Sequence, residues 1–553
     1  MNINANNSAD LPYFPYDPQP EYGMIYHFVK KKNENDYFYV PMCRYVAVSK
    51  KFVNLHEDNE FLELTMQTND PNRLKKIVIG RGDLTAKRYD TLADKGVDIT
   101  DKNYKGVLAY LLMMEKDAPV EYRHEKLGWD LENQKHYIFY HHKLLGEGVP
   151  SNYTDAAALA PAGTLSAWVN MVKEEVLGQT AMELILAAGF SAMFVPRLQA
   201  VSGQKALFVH MVGNSSVGKT TAEMLALSAF AHPECDRLFK HWINTKNALI
   251  SSLDRNFGFP MVIDESEESN LTDFGELIYT ICEGKGKERG KPDGGVRPAG
   301  RWSCTLISSG ESKLPRNNNV GLTMRLIEIC DVTFTRSAES SDRIKRVIHK
   351  NYGHPSIKMA EYLLALPDDA LFADYNACKQ QLLEKIPSNH YAARAANALA
   401  IIILAAYYAN HILALGLNIV AIEEMLAKLD SQQKRDIGME ALEMIYQYTV
   451  THNNQFQDAK SNNNNPLFST NAIGTYKSIG DDVEIAILKS ELPKILSQAN
   501  FSSTEVILSS WKQSGILDCE RDRYTRTRKI NNLKVPTYVV KFKQTLFMSE
   551  NCA

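Results

Sequence analysis

Eight consecutive residues in the middle of the chain have the types and spacing to hold phosphate. Gly213-Asn214-Ser215-Ser216-Val217-Gly218-Lys219-Thr220 follows the pattern G-x-x-x-x-G-K-[ST] and runs on into Thr221. Glycines let backbone N–H groups curl inward around phosphate oxygens. A helix starting here adds its positive N-terminal end. The lysine of such a loop reaches the β- and γ-phosphates and the next hydroxyl binds Mg²⁺. Those roles fall to Lys219 and Thr220, and the cofactors implied are ATP and Mg²⁺. The same pattern also occurs in plain glycine turns. Here an apolar run, ALFVHMV, precedes it and a helical run, TTAEMLAL, follows. That is the strand–loop–helix context the chemistry requires.

A second apolar run ends in Val262-Ile263-Asp264-Glu265. Two carboxylates at the end of a strand downstream of a phosphate loop suit the Walker B role. Asp264 would hold Mg²⁺ and its waters, and Glu265 would orient and polarise the attacking water, which suggests hydrolysis as well as binding. A third run ends Leu306-Ile307-Ser308-Ser309-Gly310-Glu311. A polar residue here would lie beside the γ-phosphate. Ser309 is the assignment, Ser308 the alternative, and a plain strand-to-loop serine pair the competing explanation. Arg325, just before the fourth run Leu326-Ile327-Glu328, holds the place of an arginine finger in ring ATPases; a structural ion pair is its alternative. Arg394, opening a later apolar helix, could touch the γ-phosphate or merely serve solubility.

Two basic segments could meet nucleic acid. Between the second and third runs, Glu283 to Arg301 carries six Lys/Arg, three Asp/Glu and six glycines. A glycine-rich basic hairpin there could line a ring's pore and grip a phosphate backbone, with Lys285, Lys287, Arg289 and Lys291 as contacts; the bland alternative is a solvated loop. Near the C-terminus, Lys512 to Lys543 holds nine Lys/Arg and three Asp/Glu. It reads as the wing of a winged helix, with Arg521, Arg523, Arg526, Arg528 and Lys529 facing DNA, although winged helices also dock proteins.

The elements that must position these residues are legible in outline. The chain has 553 residues, 44% hydrophobic and 23% charged, with net charge −3. This suits several globular domains and excludes wholesale disorder or a globally basic binder. Eight cysteines without a CxxC pair argue against a zinc finger or a disulfide framework and suit a reducing cytoplasm. Residues 398–420 are apolar enough to span a membrane, but Asn410 and His411 interrupt them, so a buried helix pair is expected and no membrane partner.

The fold class expected is multidomain α/β. Residues 1–160 form a β-rich mixed α/β domain. Residues 161–338 form the P-loop core, a parallel sheet with helices on both faces, led by helices at 161–200. A helical lid or linker region covers 339–455, an Asn-rich linker 456–466 and a winged helix 467–553. Within the last, Ile485 to Gln498 reads as one helix.

Taken in order, the motifs resemble a bacterial and phage ATPase family long catalogued as a domain of unknown function. Its members include self-loading MCM-like replicative helicases of staphylococcal mobile elements. The resemblance covers Lys126 to Lys543. Its carriers are GWD, GNSSVGKTT, HWINTKNALI, VIDESEE, IYTICEGKGKERG, WSCTLISSGE, MRLIEI and NYGHPS. It implies an AAA+ core, a homo-hexameric ring, ATP-driven translocation on single-stranded and forked DNA, and replication proteins of the same element as partners. The serine pair stands where the family pattern has Asn, and the N-terminal domain lacks the zinc motif of many MCM proteins. A nucleotide-dependent switch on nucleic acid that does not unwind is the alternative class. A small-molecule kinase is a weaker third, since it needs neither the arginine box nor a winged helix.

Overall fold

In the computed structural model the described residues are 16–19, 23–30, 37–57, 59–70, 72–130, 138–269, 274–290, 295–314, 326–386, 392–433, 437–458, 471–499, 501, 503–520, 523–531 and 533–547. They fall into two compact units, Met1–Ala160 and Pro161–Ala553.

The first unit is built on strand alternation. In Glu60–Gln67 the residues Leu62, Leu64 and Met66 are buried while Phe61, Glu63 and Thr65 keep exposed surface, the mark of a one-sided sheet. That strand sits in a five-stranded sheet ordered Ser151–Tyr153, Val120–His124, Val46–Asn54, Glu60–Gln67, Leu74–Gly80. The helix Tyr104–Asp117 turns Val107, Leu108, Tyr110 and Leu111 into the same core. A three-stranded sheet, Tyr16–Gln19, Met24–Lys30 and Tyr37–Arg44, adds to it. The GWD triplet ends a short strand, Leu127–Trp129, whose buried Trp129 packs edge-on to Phe139 with ring centroids 4.9 Å apart.

The second unit is α/β. Its leading helix at Leu165–Met171 is capped by Thr164, whose hydroxyl accepts from the Ala167 N–H. Next comes α1 (Thr180–Ser191). The sheet strands are β1 (Leu207–Val212), β2 (Phe239–His241), β3 (Met261–Asp264), β4 (Thr305–Gly310) and β5 (Leu326–Ile329). All pairs are parallel, in the order β2-β3-β4-β1-β5. The continuous burial of β1, β3 and β4 explains why they read as unbroken apolar runs. The helix that opens at Lys219 is α2 (Lys219–Ser228), and α3 (Phe274–Cys282) follows β3. After β5 the chain is helical: α4 (Ala338–Ile348), two further helices, and α5 (Ala392–Leu413). The last is long and apolar enough to cross a membrane. In this fold Ile401, Ile402, Leu404 and Ala405 have no exposed surface, and the helix packs on α1.

The C-terminal portion is a five-stranded sheet with three helices. Its elements are α6 (Ile437–Thr451), β6 (Phe456–Asp458), β7 (Gly474–Ile479), β8 (Asp482–Leu488), α7 (Leu492–Gln498), α8 (Thr504–Gln513), β9 (Arg526–Ile530) and β10 (Leu533–Lys543), with strand order β6-β7-β8-β10-β9. The single helix expected over Ile485–Gln498 is corrected here: its first part is β8, and only Leu492–Gln498 is helical. Val483, Ile485 and Ile487 alternate into the core, and antiparallel partners on both sides take the backbone hydrogen bonds. Tertiary pairing overrides the local helical pattern. The helix α6, expected in the lid region, packs in this core, and Trp511 Nε1 donates to the Gly438 carbonyl at 2.6 Å.

An ion network ties β8 to β9 and β10. Asp518 takes Lys541 at 2.8 Å, Arg526 at 2.5 Å and Arg528 at 3.3 Å, and Glu484 takes Arg528 at 3.2 Å and Lys541 at 3.4 Å. Burial pushes the Asp518 carboxyl up, but Lys541, Arg526 and Arg528 outweigh it and hold it below the usual value. A depressed carboxylate stabilises the fold above its unfolded pKa and loses that contribution as pH falls through the folded one. Asp518→Asn is therefore expected to cost about 1 kcal/mol at neutral pH, kept small by partial solvent access. The gap should close as acid takes the solution below pH ~4. Thermal melts of both proteins from pH 7 to 3 check this; a constant gap would contradict it.

Candidate functional site

The cleft forms where the parallel strands end. At Val212 the chain leaves β1 and enters the loop, whose entry is pinned by the Gly213 N–H donating to the Gly310 carbonyl at 3.1 Å. Gly218 has φ +92°, and a Cβ there would lie 2.7 Å from Thr335 Oγ1. Only glycine fits both the left-handed backbone and the close approach. The loop then opens α2 at Lys219. Lys219 Nζ donates to the Gly213 and Asn214 carbonyls at 2.5 and 3.1 Å, so its ammonium lies over the loop.

Across from the loop stands Asp264, the last residue of β3 and 4% exposed. Thr220 Oγ1 lies 3.4 Å from its Oδ2, and Ser309 Oγ donates to its Oδ1. The pleat of β4 separates the two serines. Ser308 accepts from Trp242 Nε1 at 2.9 Å and pairs with His210 Nδ1 at 3.1 Å on one face, while Ser309 faces Asp264 on the other. Of the two, Ser309 is the one in the cleft. Glu265 is exposed, lines the cleft and has φ +63°, with its N–H 3.4 Å from Ser309 Oγ. A left-handed backbone at a non-glycine residue is uncommon and concentrates at functional sites.

Glu267 accepts from the Glu311 and Ser312 N–H groups and so braces the loop after β4; burial pushes its carboxyl up, but those backbone donors outweigh burial and hold it below the usual value. Ser215 Oγ donates to Glu311 at 2.8 Å. The cleft measures about 520 Å³, and α4 closes its far side with Ala338, Ser341, Asp342 and Lys345. None of these α4 residues stands out in the sequence, because they belong to no motif.

Sequence reasoning also missed Glu223. It lies on α2 and is fully buried. Burial, then the neighbouring Asp264, push its carboxyl well above the usual range. The available signal was an acid within TTAEMLALS, one turn after Thr220, on a helix buried nearly all round.

Other expected residues lie apart. Arg394 is exposed near the start of α5 and is not among the cleft's lining residues. Arg325, Lys291 and Arg521 lie outside the described residues. The basic segment does form a hairpin, with Arg289–Gly290 paired antiparallel to Val296–Arg297. Lys285 pairs with Glu288 at 3.2 Å, and Lys287 with Glu276 at 2.5 Å. Lys246 also reaches Glu276, and the two lysines, Lys246 foremost, hold that carboxyl down to about 2. In the C-terminal part Arg523 and Lys529 are exposed, whereas Arg526 and Arg528 are engaged with Asp518.

Residues 15–301 match the family described as "Domain of unknown function (DUF927)", which is more than half of the chain. The chain belongs to the DUF927 family. Residues 436–545 match the "Cch helix turn helix domain", a span that includes α6 with the C-terminal sheet. This member of the family is similar to a solved structure titled "SCCmec type IV Cch - active helicase", with 24% identity, 97% of this chain and 98% of that chain covered, and a TM-score of 0.75. The likeness shows that the two share a fold. A structure titled as the apo A form of the NrS-1 C-terminal region aligns at 9% identity over 89% of this chain and 96% of that one, with a TM-score of 0.29. No curated protein sequence matches. The resemblance drawn from the motifs is borne out by the two family matches and the Cch fold together.

Proposed function

We propose that this chain is an ATP-dependent DNA helicase of the AAA+ class, a cytoplasmic homo-hexameric ring that moves on single-stranded DNA and opens duplex in the replication of a mobile element. One observation carries the reading: a phosphate loop bearing Lys219 and Thr220 faces Asp264 and Ser309 across the ends of a parallel sheet. In the sheet the strand carrying Ser309 separates the loop strand from the strand carrying Asp264, which suits a hydroxyl that is to sense the γ-phosphate. The name of the Cch structure supports the helicase reading, and the helix-turn-helix match supports DNA contact.

The donors suit Mg²⁺. Among the described residues no three His, Cys, Asp or Glu side chains converge as a metal cage. Mg²⁺ bound with a nucleotide needs only one or two carboxylates beside phosphates and waters. Thr220 and Asp264 offer hard oxygens, and the buried Glu223 carboxyl neighbours Asp264. Bound there, the cation would neutralise charge on the β- and γ-phosphates.

The chain's own residues divide the remaining work. The loop from Gly213 to Thr221 cradles phosphates, Lys219 meets the β- and γ-oxygens, and Ser309 senses the γ-phosphate. Glu265 orients the water. Arg325 of a neighbouring subunit completes the site. Arg394, away from its own cleft, would meet nucleotide only from an adjacent subunit.

The hairpin with Lys285, Lys287, Arg289 and Lys291 grips the DNA backbone. The winged helix, with α7 and α8 as its helices and β9–β10 as its wing, contacts duplex through Arg521, Arg523 and Lys529. Arg526 and Arg528 serve the wing's structure first. Glu276 competes with DNA phosphate for Lys287 and Lys246. Glu276→Gln is expected to tighten single-strand binding several-fold at low salt. It should also steepen the salt dependence by about 1.4 in slope, roughly 0.7 for each lysine freed. A titration of labelled oligonucleotide at several salt concentrations measures it, and an unchanged slope would contradict the hairpin's role.

The proposed function is tested by ATP hydrolysis with and without single-stranded DNA. Stimulation by DNA is expected. Absence of any Mg²⁺-dependent hydrolysis would overturn it.

A further inference from the structure

The phosphate-loop helix carries an acid that the chemistry above leaves unused. Glu223 stands one turn beyond Thr220 on α2 and has no exposed surface. Thr221, Ala222, Leu225 and Ala226 around it are buried as well. Neither Glu223 carboxyl oxygen reaches well-formed hydrogen-bond geometry among the described residues, and the groups near enough to bond it are Asp264 and Ser309. The charged and polar groups that bear on it are Asp264, Ser309 and Lys219, all of the cleft.

A fully buried carboxyl set beside a second carboxylate is destabilising, and an apolar side chain of the same size would pack there without that cost. A residue that weakens the fold and neighbours the cation-holding aspartate is accounted for by what it does to that aspartate. Asp264 has two oxygens in two uses: Oδ1 accepts from Ser309, and Oδ2 faces the Thr220 hydroxyl. Their arrangement depends on how the carboxylate is turned, and Glu223, fully buried one turn beyond Thr220, is the neighbouring acid that acts on it.

We propose that Glu223 is a positioning residue for the divalent cation, acting through Asp264 and Ser309 rather than on phosphate or on the attacking water. The inference rests on the reading of this cleft as a nucleotide–Mg²⁺ site. Groups that orient a metal's direct ligands typically set its affinity by 10- to 100-fold. Glu223 is expected to set cation affinity and to leave metal-free nucleotide affinity alone, because the phosphate-holding groups lie on the loop above it.

The experiment uses the full-length chain with Mn²⁺ as a paramagnetic stand-in for Mg²⁺. Free Mn²⁺ is measured by electron paramagnetic resonance at saturating ADP, and fluorescent ADP is titrated separately in chelator. Glu223→Gln keeps the shape of the side chain. It is expected to weaken Mn²⁺ binding 10- to 100-fold while metal-free ADP affinity stays within about twofold. Glu223→Met, apolar and of similar size, should weaken Mn²⁺ binding likewise and melt at or above the parent temperature without ligand. Unchanged Mn²⁺ affinity in Glu223→Gln would overturn the inference. So would a parallel loss of metal-free ADP affinity and melting temperature, the signature of a merely structural group. Asp264→Asn separates this failure from that of the site itself. If the parent shows no ADP-dependent Mn²⁺ binding, the nucleotide-site reading fails. If the parent binds Mn²⁺, Asp264→Asn loses it and Glu223→Gln keeps it, only the role of Glu223 fails.

Discussion

Glu265→Gln is expected to bind ATP as well as the parent and to hydrolyse it about 10²- to 10⁴-fold more slowly, the usual weight of a positioned general base. The geometry gives the expectation its selectivity. Glu265 follows directly on Asp264 yet is exposed to the cleft, while Asp264 is 4% exposed and held by Ser309 and Thr220. The two acids therefore do separable work. An amide at 265 keeps size and hydrogen-bonding reach but cannot take a proton, so binding survives and turnover does not. Asp264→Asn, by contrast, should fail at cation binding. Single-turnover hydrolysis beside fluorescent-nucleotide titration separates the cases. Near-parental turnover in Glu265→Gln would move the water-activating role elsewhere.

Lys219→Ala is expected to lose nucleotide binding itself. Its ammonium lies within 3.1 Å of two loop carbonyls, and in the proposed function it is the lysine that would meet the bound phosphates. Removing one partner of a desolvated charge contact typically costs about 2–5 kcal/mol, or roughly 30-fold to several thousand-fold in affinity. The fold should persist, since the carbonyls that Lys219 touches lie in a loop open to solvent. Titration of a fluorescent ATP analogue with a thermal melt as the folding control checks both parts. Affinity within a few-fold of the parent would contradict the phosphate-loop assignment.

Much of this site is visible in the residues because its parts are local. The phosphate loop, its strand and its helix are consecutive, and each signals itself by glycine spacing, apolar run or helical period. The acid pair ending β3 is likewise contiguous. The choice between Ser308 and Ser309 is different. Neighbouring strand residues face opposite ways, so one of the two must face Asp264, but the face is set by Trp242 and His210 from other elements. The three-residue strand β2 is too short to announce itself. The alternation of Val483, Ile485 and Ile487 passed for a helix because apolar and polar residues three and four apart also fit helical spacing there. Glu223 looks like a solvent-facing helix residue until the sheet covers it. The α4 side of the cleft is built by a helix more than a hundred residues beyond the loop, and no spacing rule connects them.

The central claim is that hydrolysis at this cleft drives strand separation. Its most direct test is displacement of one strand from a forked DNA by the purified full-length protein with ATP and Mg²⁺, run beside Glu265→Gln. The account predicts ATP-dependent displacement by the parent and none by the variant, although the variant still binds nucleotide and DNA. DNA-stimulated hydrolysis without displacement would contradict the helicase assignment and leave a nucleotide-driven switch or translocase in its place.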